Sequence, residues 1–326
     1  MALEPLERLA ESAALSAPAQ RKRMLVIVNP YASTMSARLR NLVVAALHGR
    51  YEVEAIDTQA RGHATDLCRE AAHEGYDVVV SFGGDGTVNE VANGLAGSPT
   101  PLTCLPGGAT NVLCKMLGIP GDIVDATEHL LAIADAWSPR RIDLGTANGR
   151  GFTYSSGYGL DASVVKRIEA SPGLKRHRLR EYFFVYAAVE TVLRHYVRHP
   201  PRMDVHVDGR VDRAITTLVQ NGEQFTYLDD KPIYIAEGSG LQTGTLAGVG
   251  LRGVRPHDIP PIALRLLSSR RSIVGHRQIL DFRDVTELRC ESSDGRPIAL
   301  HVDGDHVGDV TEVRFGVRPA ALGVVS

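Results

Sequence analysis

SFGGDGTVNEVANGL, the stretch from Ser81 to Leu95, decides the fold of this chain. It follows Val78–Val80, a short β-branched run that is typical of a buried strand. Glycines on both sides of Asp85 allow a tight turn and let a ligand approach the backbone closely. Apolar residues then recur at helical spacing, at Val88, Val91, Ala92 and Leu95. This order of strand, glycine turn and helix predicts a phosphate site, because a helix N-terminus offers backbone N–H groups and a positive dipole end.

Asp85, at the apex of this turn, refines the prediction. A carboxylate repels a bare phosphate, but it suits a phosphate that arrives with a divalent metal. The glycine pattern matches neither the dinucleotide fingerprint nor the P-loop. Thr87, followed three residues later by Glu90, matches a capping box at the helix start. We therefore favour a metal–nucleotide site over the alternative, a turn in which Asp85 and Glu90 are only structural.

The composition is that of an ordinary globular protein. The length of 326 residues suggests about two domains, and 44% of the residues are hydrophobic and 23% charged. A formal net charge of −2 gives no reason to expect nucleic-acid binding. The four cysteines form no metal-binding pattern, which indicates buried thiols in a reducing compartment. No signal peptide or spanning run is visible, so we expect a cytoplasmic protein with a loose arm at residues 1–21.

Further strand–helix units flank the central one. Three apolar runs predict strands, at Met24–Pro30, Tyr51–Thr58 and Pro101–Pro106. Helical patterns follow at Ala37–Leu47, from Arg61 through Ala72, from Val112 onward, and at Ile123–Trp137. A second glycine turn precedes Val112, with Thr110 and Asn111 as candidate helix caps. This alternation predicts a parallel sheet over residues 22–140, with both glycine turns at the carboxyl ends of strands.

From about residue 141 the pattern changes to short alternating runs, separated by turns such as Asp208-Gly209 and Asp294-Gly295. The predicted strands are Arg141–Thr146, Gly151–Ser155, Met203–Val207, Ala214–Val219, Pro232–Ala236, Leu246–Leu251, Ile279–Cys290, Ile298–Val302 and Val310–Val317. The predicted helices are Ala162–Glu169, Tyr182–Tyr196 and Ile262–Ser268. Residues 141–326 are therefore predicted to form a mainly antiparallel β domain, whose last residues are candidates to return to the first domain.

His301-Val-Asp303-Gly-Asp305 is the other stretch with candidate chemistry. Two carboxylates two residues apart on a strand point to the same face, whereas Gly304 favours a turn that needs no function. Asp161 stands at the start of a predicted helix, and we interpret it as the N-cap of that helix.

Four motifs together resemble the diacylglycerol kinase catalytic family. They are Asn29-Pro30, Gly62-His63-Ala64, GGDGTVNEV at residues 83–91 and PGGATNVLCKMLGIP at residues 106–120. GGDGT also occurs in NAD kinases and 6-phosphofructokinases, but the Asn89-Glu90-Val91 continuation points to the lipid kinases. The resemblance implies an α/β ATP-binding domain like that of NAD kinases, a β-sandwich lipid-substrate domain, and a ligand cleft between the two.

The resemblance also implies a site for ATP with Mg²⁺, in which Asp85 organises Mg-ATP and contacts the metal through it. Gly83 and Asn111 would support this site. The implied ATP-contacting positions are Asn29, Pro30, Tyr31, Ala32, Ser33, Thr58, Gly84, Asp85, Gly86, Thr87, Val88, Asn89, Glu90 and Thr110. The first motif departs from the family in having Ala32-Ser33-Thr34 where Ser/Ala-Gly is usual.

On the acceptor side, the resemblance gives Asp303 the role of catalytic general base. Asp305 would support it, although the family has a glutamate there, so its carboxylate is one methylene shorter. Some relatives hold a structural Mg²⁺ near an Asp-Asp-Gly turn. Gln242-Thr243-Gly244 replaces that turn here, and we do not expect the structural ion.

The sequence thus predicts an ATP-dependent lipid kinase acting on diacylglycerol or a related lipid. One alternative is a kinase of a soluble acceptor such as NAD, and another is a nucleotide- or lipid-binding regulator without turnover. A basic cluster, Lys175, Arg176, Arg178 and Arg180, precedes Tyr182–Phe184. It is a candidate surface for peripheral docking at the inner face of a membrane, the alternative being a solvated loop. Neither the lipid nor the oligomeric state follows from the sequence.

Overall fold

The computed structural model describes residues 21–134, 136–170, 200–228, 231–253, 255–266 and 273–326. Contacts divide the chain into two compact units. The first runs to Ile142 and regains Ala320–Ser326, and the second comprises Asp143–Pro319. Three predicted features lie outside the described residues: the arm at residues 1–20, the basic cluster at residues 175–180, and the helix Tyr182–Tyr196.

The first unit alternates strands and helices. Its strands are β1 (Lys22–Val28), β2 (Tyr51–Asp57), β3 (Val78–Gly83) and β4 (Leu102–Pro106). Its helices are α1 (Ala37–Leu47), α2 (His63–Glu74), α3 (Asp85–Leu95), α4 (Val112–Met116) and α5 (Ile123–Ala132). The strands lie in the order β2-β1-β3-β4 with parallel pairing, and Val324 pairs in parallel with Leu102 of β4. The prediction of a parallel sheet with helices is confirmed.

The central strands of this sheet are buried along most of their length, and Ser81 is the polar residue among the buried positions of β1 and β3. Every residue of β3 is buried, and so are the last five residues of β1. Such continuous burial is typical of a parallel strand covered on both faces. Both glycine turns follow strands of this sheet directly, one after β3 and the other after β4. They therefore lie at the carboxyl edge of the sheet, where α/β folds place their ligands.

Helices α2 and α3 approach closely at Gly94. A Cβ on this residue would stand 2.5 Å from the Cβ of Cys68 and 2.6 Å from the backbone oxygen of Thr65. We expect Gly94→Ala to push the helices apart and to lower the free energy of unfolding by about 1–3 kcal/mol, measured by denaturant titration. Gly121→Ala is the matched control, because a Cβ there would point into open space among the described residues. Equal stability of the two variants would contradict this contact.

The second unit consists of antiparallel sheets with few helices. Its strands are β5 (Arg140–Ala147), β6 (Arg150–Phe152), β7 (Ser155–Tyr158), β8 (Met203–Val207), β9 (Arg210–Ala214), β10 (Thr216–Gln220), β11 (Thr226–Leu228), β12 (Lys231–Ile233), β13 (Leu246–Leu251), β14 (Ile279–Val285), β15 (Glu287–Ser292), β16 (Ile298–Val302), β17 (Asp305–Val310) and β18 (Glu312–Val324). Its helices are α6 (Leu160–Glu169) and α7 (Ile259–Leu266), and short 3₁₀ turns occupy Pro256–Asp258 and Ile273–Gly275. Strand β5 begins in the first unit and β18 ends there.

Two of these sheets share one apolar core. One has the order β14-β13-β10-β7-β16-β17, and the other contains β18-β15-β8-β9 with the β5–β6 hairpin beside β18. Buried side chains from both sheets form a single cluster, including Val205 and Cys290 from one and Tyr158, Val219 and Leu300 from the other. The prediction of a mainly antiparallel β domain is confirmed.

Strand boundaries in the second unit differ from those predicted. The run Ile279–Cys290 is two strands, because the backbone of Asp284 adopts a φ of 53° and β14 and β15 join different sheets. The Asp208-Gly209 hairpin is confirmed by the pairing of Val207 with Arg210. The hairpin suggested by Asp294-Gly295 is wrong, since β15 and β16 lie in different sheets. Alternating runs reveal strands, but they do not reveal which strands pair.

The described residues contain no helix that is long and apolar enough to cross a membrane.

Candidate functional site

Two glycine loops meet at the carboxyl edge of the first unit's sheet. Gly107 donates its N–H to the backbone oxygen of Gly83 at 2.9 Å. A Cβ on Gly108 would stand 2.7 Å from the Cα of Gly84, and one on Gly107 would stand 3.0 Å from the Cα of Gly83. Glycine is required here because backbone touches backbone. The sequence suggested that the two loops could face one ligand, and the structure does bring them into contact.

A third loop, which carries the first motif, is tied to both glycine loops. The side-chain amide of Asn29 donates to Thr87 Oγ1 at 3.1 Å, which links the loop to the start of α3. The N–H of Thr34 donates to the backbone oxygen of Gly107 at 3.2 Å. Tyr31, between these anchors, is 87% exposed. Three loops that are distant in sequence therefore form one connected surface.

Asp85 lies where the two glycine loops join their helices. It is the first residue of α3, and its Oδ1 accepts the backbone N–H of Val112, the first residue of α4, at 2.6 Å. Asn111 turns its side chain back to Gly108 instead, where it both donates and accepts. Asp85 thus supplies the acceptor for the start of α4. The first turn of α3 also favours a negative charge at this position.

The residues of this surface fit a nucleotide that carries Mg²⁺. Glycine turns at a helix start allow phosphate oxygens to approach backbone N–H groups. The Asp85 carboxylate, which accepts the Val112 N–H through Oδ1, lies at the same helix start. The donor set therefore combines backbone amides for phosphate with a carboxylate of the kind that Mg²⁺ prefers.

The capping box predicted for Thr87 and Glu90 is wrong. Gly84 is the N-cap of α3, and the N–H of Thr87 donates to its backbone oxygen. The Glu90 carboxylate instead accepts from the N–H of Gly62 at 2.9 Å and of Ala64 at 3.3 Å. Glu90 therefore stabilises the start of the neighbouring helix α2. Local spacing suggested a cap within α3, but the packing of α2 against α3 supplied a better donor pair.

The other predicted nucleotide positions differ in accessibility. Val88 and Asn89 are buried residues, at 2% and 1% exposure, and the N–H of Val88 donates to the backbone oxygen of Gly84, so their contact with a nucleotide stays a prediction. Thr58 follows β2 at the same sheet edge, where its N–H donates to the backbone oxygen of Val28. Thr110, in the second glycine loop, is half-buried. Pro30 and Ser33 are exposed in the first-motif loop.

The cysteines are buried thiols, as predicted. Cys104 and Cys114 stand on either side of the second glycine loop. Contact with Cys104, together with burial, raises the pKa of the Cys114 thiol well above its ordinary value. The thiol stays protonated at neutral pH, which makes it a poor nucleophile.

In the second unit, Asp303 occupies the turn of the β16–β17 hairpin. Asp303 and Gly304 have φ values of 47° and 76°, and Val302 pairs with Asp305 across them. The Asp303 carboxylate is buried and accepts four hydrogen bonds. The donors are Thr153 N–H at 2.7 Å, Thr153 Oγ1 at 2.9 Å, Tyr154 N–H at 3.0 Å and Ser155 N–H at 3.1 Å. Asp303 therefore anchors residues 153–155 to the hairpin, and its role as a base stays a prediction.

The two carboxylates of this hairpin are not related by strand alternation. Asp303 lies in the turn, whereas the half-buried Asp305 begins β17. Of the two alternatives that the sequence left open, the structure shows the turn at Gly304, so strand alternation does not apply to these two carboxylates. The support that Asp305 would give to Asp303 stays a prediction.

Asp161 has a different role from the predicted one. Gly159 is the N-cap of α6, and Asp161 is its second residue. Its Oδ2 lies 2.5 Å from Nε2 of His301, a histidine with a side chain only 4% exposed. A Cβ on Gly157 would stand 1.9 Å from the same oxygen. The sequence analysis did not predict this pair. The signal that it offered was an acidic residue, Asp161, at a helix start that has Gly157 and Gly159 before it and no polar N-cap.

The loop at Gln242–Gly244 is held by its own hydrogen bonds and by one to Asp143. The Thr243 hydroxyl donates to the backbone oxygen of Gly240 at 3.0 Å, which closes the loop. Gly244 donates its N–H to Asp143 Oδ2 at 2.6 Å. Among the described residues, no group of three or more His, Cys, Asp or Glu could hold a metal ion.

Comparison with known families supports the resemblance carried by the motifs. Residues 23–147 match the family described as the diacylglycerol kinase catalytic domain. Diacylglycerol kinases of Staphylococcus aureus strains JH9 and Newman are 36% identical over 136 residues. That match covers 40% of this chain and 42% of each relative, so the chain matches less than half of their length.

Solved structures extend the likeness in fold. A chain from Bacillus anthracis strain Sterne, solved as a candidate diacylglycerol kinase, has a TM-score of 0.71 at 22% identity. Another from the same strain, described as a diacylglycerol kinase, has a TM-score of 0.67 at 21% identity. Each comparison covers 94% of this chain and 98% of the other. At this identity the likeness concerns the fold.

Proposed function

Residues 23–147 match the diacylglycerol kinase catalytic domain, and from this premise we propose that the protein is an ATP-dependent lipid kinase. It transfers the γ-phosphoryl group of ATP to a hydroxyl group of diacylglycerol or a related lipid. The bond from the hydroxyl oxygen to the γ-phosphorus forms, the bond from that phosphorus to the β–γ bridging oxygen breaks, and ADP leaves.

The packing of three loops around Asp85 carries this proposal. The first-motif loop at residues 29–34 and both glycine loops form one surface at the start of α3. ATP binds this surface, with its phosphates received by backbone N–H groups at the start of α3.

The residues of the three loops position the phosphates, because the protein forms no covalent bond during phosphoryl transfer and acts mainly by positioning and electrostatic stabilisation. Asp85 would hold Mg²⁺ together with ATP. When bound, this ion supplies charge neutralisation at the phosphate oxygens. Glu90 acts indirectly by fixing the start of α2 beside α3.

On the acceptor side, we propose that Asp303 is the general base that accepts the proton of the lipid hydroxyl group. Four hydrogen-bond donors stabilise the ionised form of its carboxylate, and the ionised form is the one that accepts a proton. For the hydroxyl to approach, at least one of these donors must give way. A lipid acceptor also requires the protein to reach a bilayer surface, so we propose peripheral contact from the cytoplasmic side.

The purified protein, incubated with γ-labelled ATP, Mg²⁺ and a total lipid extract, tests the proposal. We expect label in a lipid product, which mass spectrometry identifies. Label in a water-soluble acceptor such as NAD would instead favour the kinase of a soluble acceptor. Saturable ATP binding without any labelled product would favour a regulator that has no turnover.

A further inference from the structure

We propose that His301 is a positioning residue that, through Asp161, holds the turn carrying Asp303 in its working geometry. This inference rests on the proposed function, because it concerns the acceptor side of the same reaction. It assigns roles to two residues that touch neither ATP nor the transferred phosphoryl group.

The pair joins elements that are far apart in sequence. His301 lies on β16, and Asp161 lies at the start of α6. Their contact of 2.5 Å is largely shielded from water, with side-chain exposures of 4% and 17%. Burying a carboxylate beside an imidazole costs desolvation free energy, so the contact is stabilising only when its hydrogen-bond geometry is well satisfied.

The imidazole also contacts the hairpin turn. The N–H of Gly304 points to Nδ1 of His301 at 3.4 Å, so Nδ1 is the acceptor. The proton of a neutral imidazole therefore resides on Nε2, which donates it to Asp161. A continuous path of contacts thus runs from the start of α6 through His301 to the turn next to Asp303.

Two glycines make room for this arrangement. Gly157 pairs with His301 across β7 and β16, and any side chain there would occupy the place of the Asp161 carboxylate. A Cβ on Gly159 would stand 2.8 Å from the backbone oxygen of Ile215, so glycine lets α6 start close to β10. The absence of side chains at Gly157 and Gly159 leaves the space in which the Asp161 carboxylate lies beside the His301 imidazole.

Two near-isosteric substitutions separate the contacts of His301. His301→Gln keeps an N–H donor near the position of Nε2, whereas His301→Asn keeps an acceptor near Nδ1 and loses the donor to Asp161. His301→Gln loses the acceptor for the Gly304 N–H, and we expect it to lower kcat because the path to the turn is broken at that contact. His301→Asn and Asp161→Asn should each lower kcat about 10- to 100-fold through misplacement of the turn. The KM for ATP should not change in any of them.

The double variant Asp161→Asn/His301→Asn should be no slower than either single variant, because the two residues act as one unit. His206→Gln is the matched control. His206 also pairs with a carboxylate, Glu291 at 3.2 Å, but its side chain is 33% exposed on another strand. This control should keep the wild-type kcat.

A second measurement keeps the inference separate from the proposed function. In ¹⁵N-histidine NMR spectra, His301 should show the Nε2–H tautomer, and the Gly304 amide signal should shift in Asp161→Asn but not in His206→Gln. If the wild type phosphorylates no lipid, the proposed function fails, and the Gly304 signal still decides whether the pair holds the turn. An unmoved Gly304 signal, or a wild-type kcat in folded His301→Asn, would overturn the inference. If His301→Asn does not fold, Asp161→Asn provides the same comparison.

Discussion

Replacing Asp85 by asparagine is expected to remove nearly all kinase activity while the fold remains intact. The asparagine Oδ1 can still accept the N–H of Val112, so the start of α4 keeps its acceptor. The substitution removes the negative charge and one acceptor oxygen, both of which the proposed Mg-ATP site requires. We expect turnover to fall by about 10²- to 10³-fold, the range found when one preorganised electrostatic contact is lost. The measurement is lipid phosphorylation at saturating Mg-ATP, with a melting curve for each protein.

Asp122→Asn provides a control of the same chemical change. Asp122 also accepts backbone N–H groups at a helix start, those of Val124 and Asp125 in α5. This variant should retain wild-type turnover, because only Asp85 lies among the glycine loops. If folded Asp85→Asn turned over ATP as fast as the wild type, the carboxylate would be a helix cap and nothing more.

Asp303→Asn is expected to change both stability and turnover. Asparagine replaces one carboxylate oxygen by an NH₂ group, which then faces N–H donors in segment 153–155 instead of accepting from them. We expect the free energy of unfolding to fall by about 1.5–3 kcal/mol, the range for hydrogen bonds to a charged group. Below the melting temperature, loss of a general base should slow turnover by about 10²- to 10⁴-fold. The affinity for Mg-ATP, measured by calorimetry, should not change.

Asp208→Asn separates the contacts of Asp303 from the conformation of its turn. Asp208 occupies the equivalent position of another Asp-Gly hairpin, with a φ of 48° against 47° for Asp303. Asparagine is well tolerated at this conformation, so Asp208→Asn should leave stability and turnover unchanged. Wild-type turnover by folded Asp303→Asn would leave the anchoring of residues 153–155 as the only role of Asp303. Loss of Mg-ATP binding by this variant would show that Asp303 serves ATP and not the acceptor hydroxyl.

The sequence predicted the first unit well because its signals are local. Helix α1 was predicted at its observed bounds, Ala37–Leu47, and β3 at its observed start, Val78. Apolar periodicity and glycine turns were enough, since each strand leads directly to the next helix. The second unit was harder, because pairing in an antiparallel sheet joins strands that are distant in sequence. Neither β9 nor β17 was predicted as a separate strand.

Polar contacts between distant residues were the part of the site that the sequence did not predict. Glu90 was assigned a partner within its own helix, but it bonds to α2. Asp161 was assigned a cap, but it bonds to His301. In both cases the side chain found a better partner through tertiary packing than spacing along one helix could offer. The close contacts of Gly107, Gly108 and Gly157 could not be predicted either, because the sequence does not show which residue packs against a glycine.

Strand β18 has a consequence for the order in which the protein can fold. Its last residues return to the first unit, where Val325 donates its N–H to Leu102 and Gly97 donates to Ala321. These residues leave the ribosome only after the entire second unit has been synthesised. During translation, the β4 edge of the first sheet therefore has no strand partner until that point. An unpaired edge can form wrong pairs with other strands. The sheet of the first unit and the second unit are thus completed together, late in synthesis.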